Sequence, residues 1–341
     1  MKRIVILGVL SLLAMLTLVA CGGTTAEPTA TTTGSTNAQP AAPAAAQSGA
    51  AGNTSSSELY VFLPKSLDNP YWVACQKGMS AEATKLGVRA EFLGPDTADA
   101  AKQVAIFESV IARKPAGIAV SPNDPGTVKD SIAKARAAGI PVISWDADAP
   151  DSQRIAYVGT DNVAAGKTAG DELANAINKK GKVAILTGSL TALNANQRVE
   201  GFKDAMKNYP DIQIVATEPT EDSLATALSK AETLMQANPD LAAFYGVTGS
   251  GVPGAGNAVK QANKCGTIKV VGFDVVPQGI DLMKAGCVQA LISQRPFGMT
   301  VKALDLLQDL HNGKQASSTN IDTGVEVVHP DTLDKYLTTD H

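Results

Sequence analysis

From Glu58 onward the chain alternates short apolar runs with longer segments of helical spacing. Leu59-Tyr60-Val61-Phe62-Leu63 is unbroken, as a strand buried on both faces requires. Asn69-Pro70 supplies a helix start, and that helix runs to Gly87. The same reading predicts strands at Val88–Leu93, Gly117–Ser121, Pro141–Trp145 and Ile155–Gly159, with helices over Asp99–Arg113 and Pro125–Ala138. The rhythm then restarts. Helices are predicted over Val163–Asn178, Gln197–Asn208, Ser223–Ala237, Gly254–Ala262, Gln278–Ala285 and Phe297–His311. Strands are predicted over Lys182–Thr187, Ile212–Thr217, Ala242–Val247, Lys269–Phe273 and Val288–Ser293, with an extended segment through Val328. Alternation of this kind implies parallel sheets covered by helices on both faces. The number of units exceeds one sheet of usual size. The expectation is an α/β protein with two doubly wound parallel sheets, and a closed eight-unit barrel is the alternative.

The first 57 residues follow a different pattern. Met1-Lys2-Arg3 is a positive start, and Ile4–Ala20 is an uncharged apolar run of 17 residues, at the short limit for a membrane span. The positive flank and the small residues at its end suit a secretory signal peptide over residues 1–20. Leu18-Val19-Ala20-Cys21 resembles the bacterial lipobox, which implies cleavage before Cys21 and lipidation of its thiol. Residues 22–57 hold one charge, Glu27, and no aromatic side chain. Such a segment buries too little apolar surface to offset its ordering entropy, so 21–57 reads as a lipidated cysteine and a disordered linker. The expected product is exported and anchored by lipid alone on the outer face of the bacterial cytoplasmic membrane.

Composition narrows the function classes. The 341 residues carry 29 basic and 33 acidic side chains, a formal charge of −4, and removal of Lys2 and Arg3 leaves 27 basic against 33 acidic. No basic domain exists to neutralise phosphates, which argues against nucleic-acid binding. The three histidines, His311, His329 and His341, lie far downstream without metal-ligand spacing, so no metal and no cofactor are expected. Export permits disulfides. Cys265 precedes one predicted strand and Cys287 opens the next, so both sit at one sheet end if those strands are neighbours. A Cys265–Cys287 bridge is expected on that condition, while Cys75 reads as an unpaired buried thiol on the first helix.

Open α/β sheets bind ligands beyond the carboxyl ends of their strands. After the first strand comes Lys65 and then Asn69-Pro70-Tyr71-Trp72. This loop can bind hydroxyls and cover an apolar ring face, or serve only as a helix cap and core. Trp145-Asp146-Ala147-Asp148 follows another strand. Its two carboxylates can accept hydroxyl hydrogen bonds, hold a metal with further ligands, or form an acidic turn. Gly249-x-Gly251-x-x-Gly254 follows a strand, with Asp274 twenty residues beyond Gly254. This meets the dinucleotide fingerprint formally. However, it comes late in the chain, contains Pro253, and lacks an acid–base partner. The simpler reading is a loop that lets backbone approach a ligand.

Taken in order, Asn69-Pro70-Tyr71-Trp72, Trp145-Asp146, Gly159-Thr160-Asp161-Asn162 with Ala165-Gly166, Val271-Gly272-Phe273-Asp274 and Ile292-Ser293-Gln294 form a set. The set resembles the sugar-binding periplasmic binding proteins of the ribose/galactose type, substrate-capturing components of ABC importers. The resemblance covers residues 58–330. It implies two lobes joined by a three-strand hinge, lobe 1 over 58–161 plus 295–323 and lobe 2 over 162–294 plus 324–341. It also implies ligand contacts from Asn69, Tyr71, Trp72, Asp146, Asp274 and Gln294. Two features depart from the ribose type. Ala147-Asp148 stands where an arginine is usual, and Asn196 occupies the place of another sugar-gripping arginine. Lys65, the Trp145–Asp148 string, Asn194 and Val252-Pro253-Gly254-Ala255 are similar to the rhamnose and autoinducer-2 receptors of the same superfamily. That similarity implies contacts from Lys65, Asp148, Asn194, Pro253 and Ala255, and Asn196 is a further candidate contact through the ribose-type position it occupies.

The function these readings imply is capture of a small neutral sugar or polyol by hinge closure, without chemistry. The carrier would be a monomeric lipoprotein that docks on ABC permease subunits. A sensory receptor of the same fold, with an autoinducer-2-like ligand, is the nearest alternative. An NAD-dependent dehydrogenase using the Gly249–Gly254 loop is the more distant one.

Overall fold

In a computed structural model the described residues are 58–338. The expected signal segment, Cys21 and the linker lie outside them, as does His341. Strands β1 (Leu59–Leu63), β2 (Arg89–Phe92), β3 (Gly117–Val120), β4 (Val142–Trp145), β5 (Tyr157–Gly159) and β11 (Asn320–Asp322) form one sheet. Its order is β11-β5-β4-β3-β1-β2, parallel throughout. Strands β6 (Gly181–Thr187), β7 (Ile212–Pro219), β8 (Leu241–Gly246), β9 (Lys269–Phe273), β10 (Ala290–Ser293) and β12 (Glu326–Val328) form a second, ordered β12-β10-β9-β8-β6-β7. Only β12 runs antiparallel to its neighbour. These are two open sheets with one winding pattern, not a closed barrel.

The apolar runs are continuous because each sheet is covered twice. In β1, Tyr60 and Phe62 join a core with α1 (Tyr71–Leu86) and α9 (Pro296–His311). Leu59, Val61 and Leu63 point the other way, against α2 (Ala100–Ala112) and α3 (Lys129–Ala137). The second sheet repeats this scheme. Val183 and Ile185 pack with α4 (Asn162–Ala176) and α5 (Leu193–Met206). Ala184 and Leu186 pack with α6 (Leu224–Ala237), α7 (Gly251–Gln261), α8 (Pro277–Lys284) and the short α10 (Leu333–Leu337). The two-residue strand period thus divides each run between two cores.

Three element boundaries differ from the sequence reading in ways that matter for function. Helix α3 begins at Lys129 rather than Pro125, because the Asp124 carboxylate accepts from Gly126 N at 2.7 Å and holds a turn first. Helix α5 begins at Leu193, four residues before the expected start. Helix α7 begins at Gly251 and contains Pro253 as its third residue, where a missing N–H breaks no intrahelical bond.

Helices α4 and α5 lie unusually close. A Cβ on Gly166 would stand 2.2 Å from Arg198 O, and one on Gly201 would stand 2.0 Å from Val163 O. Only glycine permits that approach, which sets the height of Arg198 over the second sheet.

The chain passes between the sheets three times, between Gly159 and Asn162, between Ser293 and Pro296, and between Asp322 and Glu326. Strands β9 and β10 are parallel neighbours, and a disulfide joins Cys265 to Cys287 with Cα atoms 4.3 Å apart. Cys75 is a buried free thiol. No described helix is long and apolar enough to cross a membrane.

Candidate ligand-binding cleft

In each sheet the first strand lies between the second and third, so the loops diverge beside β1 and β6 and open a crevice. Lys65 and Ser66 enter it after β1, and Asn69, Tyr71 and Trp72 at the start of α1. Asp146 enters after β4, and Asn194 and Arg198 from α5. Asp222, Thr248, Asp274 and Gln294 follow β7, β8, β9 and β10. Together they line a cavity of about 350 Å³, its open mouth included.

Local chemistry fixes each group. The Asn69 side-chain oxygen accepts from Tyr71 N at 3.0 Å, which holds this side chain at the entry to α1. Trp72 belongs to the core and the cleft wall at once. It packs edge-on against Trp145 at 5.4 Å, and its buried indole N–H has no partner among the described residues. Trp145 itself is wholly core. Asp146 adopts φ 61°, and its Oδ2 accepts from Ser121 Oγ at 2.6 Å. Gly249 holds the opposite wall close, because a Cβ there would stand 3.0 Å from Asn69 Oδ1 and 3.4 Å from Asp274 Oδ2.

Two cations and three carboxylates converge here, and four of them hydrogen-bond to neutral partners. Lys65 Nζ donates to Asn194 Oδ1 at 2.7 Å, from one lobe to the other. Arg198 donates to Asn162 Oδ1 at 2.9 Å, to Val247 O at 3.1 Å and to Gln294 Oε1, and lies 4.1 Å over the Phe273 ring. Gln294 Nε2 donates to Asp274 Oδ1 at 2.7 Å. Asp146 has Ser121, and one buried oxygen of Asp222 has no partner among the described residues. Burial lowers the Lys65 pKa against the pull of Asp146 and Asp222. Burial also raises Asp274 to about 7, against the opposing pull of Arg198 and Gln294. Charges held by neutral partners keep strong hydrogen-bonding capacity for something that both donates and accepts.

Residues 60–315 match the periplasmic binding protein domain family. The chain belongs to that family. Among its relatives, the D-allose-binding periplasmic protein of Escherichia coli is 30% identical over 259 residues, covering 73% of this chain and 83% of the relative. A solute-binding protein of an ABC transporter from Burkholderia graminis, solved with D-arabinose, is 35% identical with a TM-score of 0.79, covering 83% of this chain and 98% of that one. A glucose-galactose binding protein from Geobacillus stearothermophilus is 35% identical with a TM-score of 0.77, covering 82% and 99%.

Within this periplasmic binding protein, four expected contacts stand off the cleft. Asp148 is held away by Arg154, whose Nε and Nη2 reach its two oxygens at 2.5 and 2.7 Å, and by Ser144 Oγ at 2.6 Å. Asn196 is exposed and donates to Leu190 O at 2.8 Å. Pro253 and Ala255 are buried within α7, Ala255 in the core beneath the second sheet. Gly254 of the glycine pattern packs on α6, where a Cβ would stand 2.4 Å from that of Ala227. That glycine therefore serves helix packing. Conversely, Ser66, Arg198, Asp222 and Thr248 line the cleft beyond the expected contacts, and Gly249 lines it as its loop's close backbone approach implies. Two of them left a signal. Asn194 and Arg198 are four apart on α5 and share a face, whereas Asn196 between them faces out. Asp222 is a carboxylate just beyond a strand end, as Asp146 and Asp274 are.

Proposed function

We propose that this protein is the solute-binding component of an ABC importer, and that it captures a small neutral polyhydroxylated ligand between its two lobes. The observation that carries the reading is a cavity with aromatic side chains on one wall and five charged groups around it, four of them held by neutral partners. Each sugar hydroxyl donates once and accepts twice. It can bridge an aspartate and a lysine or arginine, and each charged hydrogen bond contributes about 1.5–3 kcal/mol. Tyr71 and Trp72 would cover an apolar ring face. The names of the relatives, which bind allose, arabinose, glucose and galactose, support the same class.

Lobe 1 is taken as 58–161 plus 295–323, and lobe 2 as 162–294 plus 324–341, hinged where the chain crosses between sheets. Closure brings both lobes onto one ligand and excludes water, after which the closed form docks on a permease without chemistry. The chain is exported, and Cys21 carries a lipid anchor. Calorimetric titration with pentoses, hexoses, deoxyhexoses and polyols should show saturable binding. Asp146→Ala and Asp274→Ala should each weaken the ligand found by about 10-fold or more, as for loss of a charged hydrogen bond. Unchanged affinity in both variants would sink this reading of the cleft.

A further inference from the structure

The two walls of the cavity differ chemically. The wall built after β1 and β4 carries Tyr71 and Trp72. The wall built from the second sheet is lined by Asn194, Arg198, Asp222, Thr248, Asp274 and Gln294, with Gly249 between them, and includes no aromatic side chain among the described residues. A pyranose with every hydroxyl equatorial shows C–H groups on both ring faces, and an aromatic wall suits each. An axial hydroxyl makes one face polar and leaves the other apolar. The asymmetry of this cavity fits the second kind of ring.

One group on the polar wall is left without its hydrogen bond. Asn194 is engaged by Lys65, Arg198 by Asn162, Val247 and Gln294, and Asp274 by Gln294. The Thr248 hydroxyl has Ser250 at 3.3 Å. Asp222 Oδ1 is buried and has no partner among the described residues. A buried carboxylate oxygen without a donor is costly, and native structures rarely keep one unless something supplies the proton.

The carboxylate is also held in place. Thr220 N and Oγ1 both donate to Thr187 O at the end of β6, at 2.9 and 2.8 Å. Ser223 N donates to Thr220 O at 3.0 Å, and Ser223 Oγ accepts from Thr226 N to start α6. Glu221 and Asp222 take φ of 51° and 54° between these anchors, a conformation uncommon for residues other than glycine. The turn is pinned on both sides, and the acid it carries lines the cavity.

We propose that Asp222 is a specificity-determining residue that accepts from an axial hydroxyl, and that the preferred ligand is a monosaccharide bearing such a hydroxyl. This rests on the sugar-binding reading above and adds the stereochemical class.

The test is calorimetric titration of the full chain and of Asp222→Ala and Asp222→Asn against epimer sets. D-Xylose is compared with its epimers D-ribose and L-arabinose, and D-glucose with its epimers D-allose and D-galactose. The expected result is that the wild-type protein binds one axial-hydroxyl sugar at least about 10-fold more tightly than its all-equatorial epimer, the size of one charged hydrogen bond. Asp222→Ala should bring that ratio to within about 3-fold by weakening the axial epimer alone. Asp222→Asn keeps an acceptor oxygen without the charge and should fall between, and it carries the test if the alanine variant is unfolded by circular dichroism. A wild-type preference for D-xylose or D-glucose overturns the proposal. So does an Asp222 variant that weakens every sugar equally. Wild-type protein that binds no sugar at all overturns the sugar-binding reading and the assignment with it, whereas sugar binding indifferent to Asp222 overturns the assignment alone.

Discussion

Asp274 shows how a binding site trades stability for capacity. Burial raises its pKa from an ordinary 3.8 to about 7, although Arg198 and Gln294 oppose the shift. The unfolded chain ionises this group near 3.8, and the folded protein holds the proton until about 7. The sign follows from linkage. Folding bears no penalty from Asp274 below 3.8, a growing one between 3.8 and 7, and a constant one above. Asp274→Asn should therefore raise the melting temperature of the ligand-free protein at pH 8 and leave it unchanged at pH 4. The ionised carboxylate is also the better acceptor. Ligand affinity of the wild-type protein should fall as pH drops through 7, and the variant should bind weakly at every pH. Equal melting shifts at both pH values would refute this account. Arg198 marks the limit of residue-level reading. Its place on the cleft face depends on α5 starting at Leu193, and no capping side chain announces that start.

Elements were more legible than residues. The run Leu59–Leu63 matches β1 end to end, and Lys269–Phe273 matches β9, because unbroken apolar stretches leave a buried strand little freedom. Asp99 and Ser223 mark true helix starts because their side chains accept from the first-turn N–H groups. The starts that were misplaced, α3, α5 and α7, have no such cap. The disulfide is the other element-scale feature that the pattern anticipated, since it needed only that β9 and β10 be neighbours. It closes a loop of 22 residues around α8, for which chain entropy suggests a contribution of about 3 kcal/mol. The bridge lies at the amino ends of the strands and the cleft at their carboxyl ends. Cys265→Ser with Cys287→Ser should thus lower the unfolding free energy in urea by about 3 kcal/mol while leaving ligand affinity intact. A loss of affinity equal to the loss of stability would contradict that separation.

At the scale of the molecule, the cleft exists because two sheets of like winding face each other across three chain passages. Lys65 to Asn194 at 2.7 Å and Thr191 Oγ1 to Asn123 O at 3.4 Å tie the walls together. The proposed hinge motion predicts that these ties break when the lobes open and are kept when ligand holds them closed. Leu67 and Leu190 flank them on opposite lobes and are 42% and 62% exposed, so they can carry fluorophores after substitution by cysteine. Energy transfer between the labels should rise on saturation with the bound sugar, and an unchanged signal would exclude closure at this edge.

What the sequence determined by itself was the alternation of strands and helices, the covering of each sheet on both faces, and the carboxylates and aromatics that follow strand ends. These are local properties, set by periodicity and by apolar length. Tertiary structure decided which of the neighbouring candidates reach the cleft. Asp146 and Asp148 are two apart, yet Ser121 holds one in the cleft and Arg154 draws the other out. Asn194 and Asn196 are also two apart, and the helical turn places one against Lys65 and the other toward solvent. The deciding partners lie on other strands and helices, and their distances are set only when both sheets have packed.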